Sequence, residues 1–211
     1  LGRLDLDVLA GTRVAPGACG ALAHVEGAEA HQGDRFVLTE GLGHRGDGRV
    51  LGEEAVVALG LELVGQLRAA FGGDPRFQLV LSAGTQTDLA ALGPIPESCT
   101  VRASVDQMSV LDCADVFLTH CGMNSASEGL WHGLPLVLYP QTPEQHGVAN
   151  RVAALGAGVP LTDPSADGIR RAVEAALTDP SYRENAQKLA DGFRRCGGAS
   201  EAADAIEHAA N

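Results

Sequence analysis

Asp115-Val-Phe-Leu-Thr-His-Cys-Gly-Met-Asn-Ser-Ala-Ser-Glu-Gly-Leu-Trp-His-Gly-Leu-Pro-Leu-Val-Leu-Tyr-Pro-Gln-Thr-Pro-Glu-Gln145 is the stretch from which the rest of the chain is read. Val116 to Thr119 is a short apolar run rich in strand formers. It stops at His120-Cys121-Gly122 and gives way to a helix-like segment from Asn124 to His132. The spacing predicts a strand, a tight glycine turn and a helix. A helix start leaves backbone N–H groups without partners and carries partial positive charge, so a turn at Gly122 followed by Asn124 and Ser125 is suited to a phosphate.

The same alternation continues on both sides. Upstream, residues 35–40 read as a buried strand that runs into a glycine loop from Gly41 to Gly48. A helix from Glu53 to Phe71 follows, with Val56, Leu59, Leu63, Val64 and Leu67 at helical spacing. Phe77 to Ser82 and Cys99 to Arg102 are further strands, and Met108 to Cys113 a short helix. Downstream come a strand from Pro135 to Tyr139, a helix from Glu144 to Leu155 stopped by Gly156, and a short strand from Gly158 to Leu161. Helices at Asp167–Leu177 and Pro180–Cys196, the second capped by Asp179, precede an Ala-rich helix from Ala199 to Ala210. This order predicts an α/β fold: a Rossmann-like, mostly parallel sheet with helices on both faces. Ligands in such sheets bind at the carboxyl ends of the strands, where His120, Tyr139-Pro140-Gln141 and the Gly41 loop all fall. Residues 1–34 are glycine-rich without sustained periodicity, and are read as an unassigned linker or the remnant of a preceding domain. Residues 35–211 form the domain, and His24 and His31 read as surface.

Composition narrows the classes. The 211 residues are 45% hydrophobic but only 4% aromatic, so the core is aliphatic. A formal charge of −12 excludes a nucleic-acid partner, because binding a phosphate backbone needs a basic face. Any phosphate must be held by local backbone geometry. The five cysteines, Cys19, Cys99, Cys113, Cys121 and Cys196, are scattered and include no C-x-x-C pair. They predict reduced thiols in a cytoplasmic protein, with neither a disulfide frame nor a zinc site. No membrane span or signal peptide is seen, and a first residue of Leu predicts a fragment or a processed chain.

The words Thr119-His-Cys-Gly-Met-Asn-Ser125, Glu128-Gly-Leu, Gly133-Leu-Pro-Leu, Pro140-Gln141 and Glu144-Gln145 together resemble the donor signature of family 1, UDP-glycosyltransferase-like enzymes of the GT-B fold. The likeness is to the bacterial natural-product (macrolide) branch and to its C-terminal, donor-binding domain. It implies a UDP- or TDP-linked sugar as substrate, a small-molecule acceptor, and neither metal nor cofactor. By resemblance His120, Gly122, Asn124 and Ser125 face the donor diphosphate and Glu128 the ribose. Ser104 and Gln107 stand at the base, Glu144 and Gln145 at the sugar, and Gly41 and Gly43 in a possible phosphate loop. The general base of the family is a histidine of an N-terminal acceptor domain, so the resemblance places it outside this chain, on that domain or a partner chain. Two departures are plain. Ser104 and Asp106 stand where relatives carry an aromatic residue and a proline, leaving only Gln107 of that word, and the loop after the first strand lacks the usual Ser or Thr.

Each residue also has a plainer reading. Ser125-x-x-Glu128 fits a capping box, His120 a structural histidine, and Gln145 a helix-surface residue. Trp131 and Leu130 are read as core, and Cys121 as a small turn residue rather than a nucleophile. Ser104 and Asp106 favour an alternative for the whole chain, a non-catalytic partner or activator with a degenerate nucleotide pocket. The intact words from His120 to Gln145 oppose it. A third reading, sugar-nucleotide epimerisation, has no supporting words.

Overall fold

The computed structural model describes residues 35–40, 53–84 and 87–209, with side chains over 62–84 and 87–209. Residues 1–34 and the loop carrying Gly41, Gly43 and His44 lie outside the described residues, as do the side chains of Val56 and Leu59. Among the described residues the strands are β1 (Arg35–Glu40), β2 (Phe77–Ser82), β3 (Cys99–Arg102), β4 (Val116–Thr119), β5 (Leu136–Leu138) and β6 (Gly158–Pro160). They form one sheet in the order β3-β2-β1-β4-β5-β6, and every pairing is parallel. The chain works outward from β1 to the β3 edge, then crosses back to β4 and continues to β6. The strand order therefore reverses between β1 and β4, the kind of switch point outside whose strand carboxyl ends ligands bind in such sheets.

The helices are α1 (Glu53–Phe71), α2 (Gln107–Leu111), α3 (Met123–Trp131), α4 (Pro143–Ala154), α5 (Ala166–Thr178), α6 (Pro180–Arg195) and α7 (Gly198–Ala209). Successive strand residues point to opposite faces, so β2, β4 and β5 feed two cores. Val116, Leu118, Leu79, Leu81 and Val137 pack with Leu63, Leu67 and Phe71 of α1 and Ile169 and Val173 of α5. Phe117, Val80, Leu136 and Leu138 pack instead with Val110 of α2, Ala126 and Leu130 of α3, and Ala149 and Val152 of α4. Because both faces are covered, the strands read as nearly continuous apolar runs. Gly129 lets α3 sit close to the sheet: a Cβ there would lie 2.8 Å from Phe117 Cδ1 and 2.9 Å from Leu136 Cδ2.

Three local expectations change. Helix α2 begins one residue early because Asp106 caps it, accepting from the Ser109 hydroxyl at 2.7 Å and the Ser109 N–H at 3.4 Å. The Ser109 hydroxyl, then its N–H, hold the Asp106 carboxyl below the usual carboxylate range. Trp131 is not core. It ends α3 and is 43% exposed, with the Arg194 guanidinium 6.0 Å from its ring centroid and donating to its carbonyl at 3.1 Å. Leu130, one position back, does face the core. Third, the capping box forms on α4 rather than α3, between Thr142 and Gln145. Asp179 and Pro180 open α6 as the sequence predicts.

At the opposite end of the sheet Arg170 of α5 clamps α1. Its guanidinium donates to the Ala70 carbonyl at 2.7 Å, to Asp74 and to Glu174 at 3.0 Å, and lies 5.6 and 5.4 Å from the Phe71 and Phe77 ring centroids. This fastens the far end of the domain and leaves the carboxyl ends of the strands to the site.

Candidate functional site

The turn between β4 and α3 is built from Thr119 onward. Thr119 is fully buried, and its hydroxyl accepts the Cys121 N–H at 3.0 Å. That bond bends the chain so tightly that Cys121 takes φ 66°, the left-handed region that a residue with a Cβ enters at a cost of about 1–2 kcal/mol. Its thiol is fully buried and donates to the Thr119 carbonyl at 3.5 Å, which fits a turn residue and not an accessible nucleophile. Gly122 comes next, extended at φ −58°, ψ 143°, as the N-cap of α3. A Cβ at Gly122 would sit 2.7 Å from His120 Nε2, so the absence of a side chain is what lets the imidazole lie across the helix start.

The first internal bond of α3 runs from the Ala126 N–H to the Gly122 carbonyl at 2.9 Å. The N–H groups of Met123, Asn124 and Ser125 precede it, and among the described residues no side-chain cap bond reaches them. The contrast within the molecule is direct, since α2, α4, α5 and α6 begin under Asp106, Thr142, Ser165 and Asp179. Ser125 occupies the third helical position, where it cannot act as the cap of a box. Glu128, one turn further on, accepts instead from Gln107 Nε2 at 2.6 Å. The crossover from the β3 edge thus returns Gln107 to the side of α3, joining two residues 21 apart. Ser104, on the same connection, is exposed.

The neighbouring turn, from β5 to α4, lies beside it because β4 and β5 are in register and the Tyr139 N–H donates to the Thr119 carbonyl at 2.9 Å. Glu144 is exposed in the first turn of α4. Gln145 is 8% exposed, and its Oε1 accepts the N–H of Gln141 at 2.8 Å and of Thr142 at 3.1 Å. It is therefore a buried brace of the Pro140 to Thr142 loop, not a helix-surface residue. The pattern Thr142-x-x-Gln145 carried that signal in the sequence. A cavity of about 240 Å³ opens at the ends of β5 and β6, lined by Tyr139, Pro140, His146, Asn150 and Thr162 among others. Nothing in the sequence marks these last three, since a groove wall needs no special residue type. Gly41 and Gly43 lie outside the described residues.

The structure thus gathers His120, Gly122, Asn124 and Ser125 at one uncapped helix start, with Glu128 and Gln107 on its flank and the Glu144–Gln145 turn on the adjacent strand. Among the described residues no helix is long and apolar enough to cross a membrane.

Comparison with known proteins follows the same outline. Residues 76–207 match the family model described as erythromycin biosynthesis protein CIII-like, C-terminal domain. The chain is 40% identical over 136 residues to the NDP-glycosyltransferase YjiC of Bacillus licheniformis, covering 64% of this chain and 34% of that protein. It is 35% identical over 169 residues to the demethyllactenocin mycarosyltransferase of Streptomyces fradiae, covering 76% and 36%. Among solved structures, the glycotransferase of kitacinnamycin superposes with a TM-score of 0.70 at 31% identity, over 87% of this chain and 46% of that one. The chain spans about a third of the length of the curated relatives it matches. From the parallel sheet, the uncapped helix at its switch point and the match over residues 76–207, the chain belongs to the family of erythromycin biosynthesis protein CIII-like C-terminal domains, within the GT-B glycosyltransferases.

Proposed function

We propose that this chain is the donor-binding part of a cytoplasmic glycosyltransferase that uses a UDP- or TDP-linked sugar and a small natural-product acceptor. The observation that carries the reading is the uncapped start of α3 beneath His120, at the point where the strand order reverses. Three backbone N–H groups and the helix dipole meet there, with Asn124 and Ser125 beside them, in the arrangement a diphosphate needs. In the reaction an acceptor oxygen attacks the anomeric carbon as the bond from that carbon to the donor phosphate breaks. The electron pair leaves on the diphosphate. Negative charge then grows on the phosphate oxygens, where fixed donors lower the barrier more than mobile water does, and no metal is invoked. The acceptor's proton goes to a base on an N-terminal half of the kind the longer relatives have. Glu144 and the amide of Gln145 stand toward the sugar, and Glu128 toward the ribose.

The test is turnover with radiolabelled UDP- and TDP-sugars and an acceptor panel, with and without the N-terminal half. The 211 residues alone should show slow donor hydrolysis at most, because a positioned base is worth ~10²–10⁴-fold and acceptor positioning adds to it. Adding the N-terminal half should restore transfer. Efficient transfer by the chain alone would overturn the assignment of the base. The exposed Ser104 keeps a non-catalytic partner as the second reading. That reading predicts no transfer with the half added, and stimulation of a separate transferase instead.

A further inference from the structure

The bond between Gln107 and Glu128 has a consequence for how a nucleotide is held. Gln107 is the first residue of α2 and Glu128 lies in the second turn of α3, and their side chains meet at 2.6 Å. A hydrogen bond this short to a carboxylate is charge-assisted. Gln107 occupies one oxygen, Oε2. The other, Oε1, takes no partner among the described residues. A glutamate side chain turns about three bonds, so a carboxylate meant to grip a sugar hydroxyl loses affinity unless something fixes it beforehand.

We propose that Gln107 is a positioning residue, which holds Glu128 so that its free oxygen is presented to the ribose of a bound nucleotide. This rests on the nucleotide-binding reading of the α3 turn. It differs from the base-side role that the resemblance implies for Gln107, because the amide acts through the carboxylate and is indifferent to which base is bound.

A double-mutant cycle decides it, with Gln107→Met, Glu128→Ala and the pair. Met keeps the length and helix preference of Gln and removes the donor. Affinities for UDP, TDP and inorganic pyrophosphate are measured by calorimetry, alongside apo melting temperature. Gln107→Met should weaken UDP and TDP alike by about tenfold, the size of one charge-assisted hydrogen bond, and leave pyrophosphate unchanged. In the Glu128→Ala background it should cost nothing further, since there is no carboxylate left to hold. Gln107→Glu, which sets two carboxylates against each other, should weaken both nucleotides more than Gln107→Met does and serves if the Met variant folds poorly. A loss that persists without Glu128, or that differs between UDP and TDP, overturns the proposal in favour of direct base contact. A fall in melting temperature with unchanged affinities overturns it in favour of a purely structural tie between α2 and α3. If the folded wild type binds pyrophosphate but neither nucleotide, the ribose role of Glu128 falls with it. If it binds none of the three, the nucleotide-binding reading itself has failed.

Discussion

At the scale of single residues, two positions of the donor signature have different physical duties. Gln145 satisfies two loop N–H groups from a buried position, so Gln145→Ala should lower apo stability by about 1–2 kcal/mol, read as a drop in melting temperature. An unchanged melting temperature would show that the loop N–H groups find other partners. Gly122 has the converse profile. Its backbone conformation is one any residue adopts, and the nearest obstacle to a side chain among the described residues is the His120 ring, 2.7 Å from where a Cβ would stand. Gly122→Ala should therefore push the imidazole off the helix start and cost nucleotide affinity, with a much smaller loss of apo stability than Gln145→Ala. Equilibrium melting and calorimetric titration of the two variants, run together, check both. Sequence reading located the residues of this turn but not what makes it a turn. The Thr119 hydroxyl bond and the left-handed Cys121 are pairings between near neighbours that residue type alone does not announce.

Elements show where the local code is explicit and where it is silent. The starts of α4, α5 and α6 are each written as Thr, Ser or Asp ahead of the first turn, and Pro143 and Pro180 stand in the first turns of α4 and α6. The start of α3 is recognisable only by lacking such a residue, which is why Ser125 and Glu128 invite a capping box one turn too late. The clamp between α1 and α5 was not legible either, because Arg170 reaches Asp74 across 96 residues. It sets a pH dependence. Arg76, then Arg170, hold the Asp74 carboxyl well below its ordinary range against the opposing effect of partial burial. A carboxylate depressed in the folded state stabilises fully above its unfolded value, near pH 4, and that stabilisation is lost as pH falls toward the folded value. Asp74→Asn should therefore cost about 1 kcal/mol at pH 7, and the gap to wild type should narrow steadily below pH 4. Urea melts at pH 7, 5, 4 and 3 measure it. A gap independent of pH would mean that the loss comes from hydrogen bonding or packing that does not depend on the charge of Asp74.

For the whole molecule, the alternation of strand and helix predicted the parallel sheet and both covered faces, because strands buried on two sides show as unbroken apolar runs. Strand order did not follow from periodicity, and it is the order that places β4 beside β1 and puts His120 at the switch point. The net charge of −12 makes the local origin of any anion site more pointed, since the overall field repels a diphosphate. Affinity should then rise with ionic strength or hold steady, rather than fall as it does at a basic patch. The central claim is that the α3 start receives a nucleoside diphosphate, and thermal melting of the 211-residue chain with millimolar UDP, TDP, NAD or free glucose tests it most directly. The account predicts a saturable rise in melting temperature with UDP or TDP, absent with NAD and glucose and reduced in Gly122→Ala. A folded chain whose melting temperature is moved by no nucleoside diphosphate would contradict it.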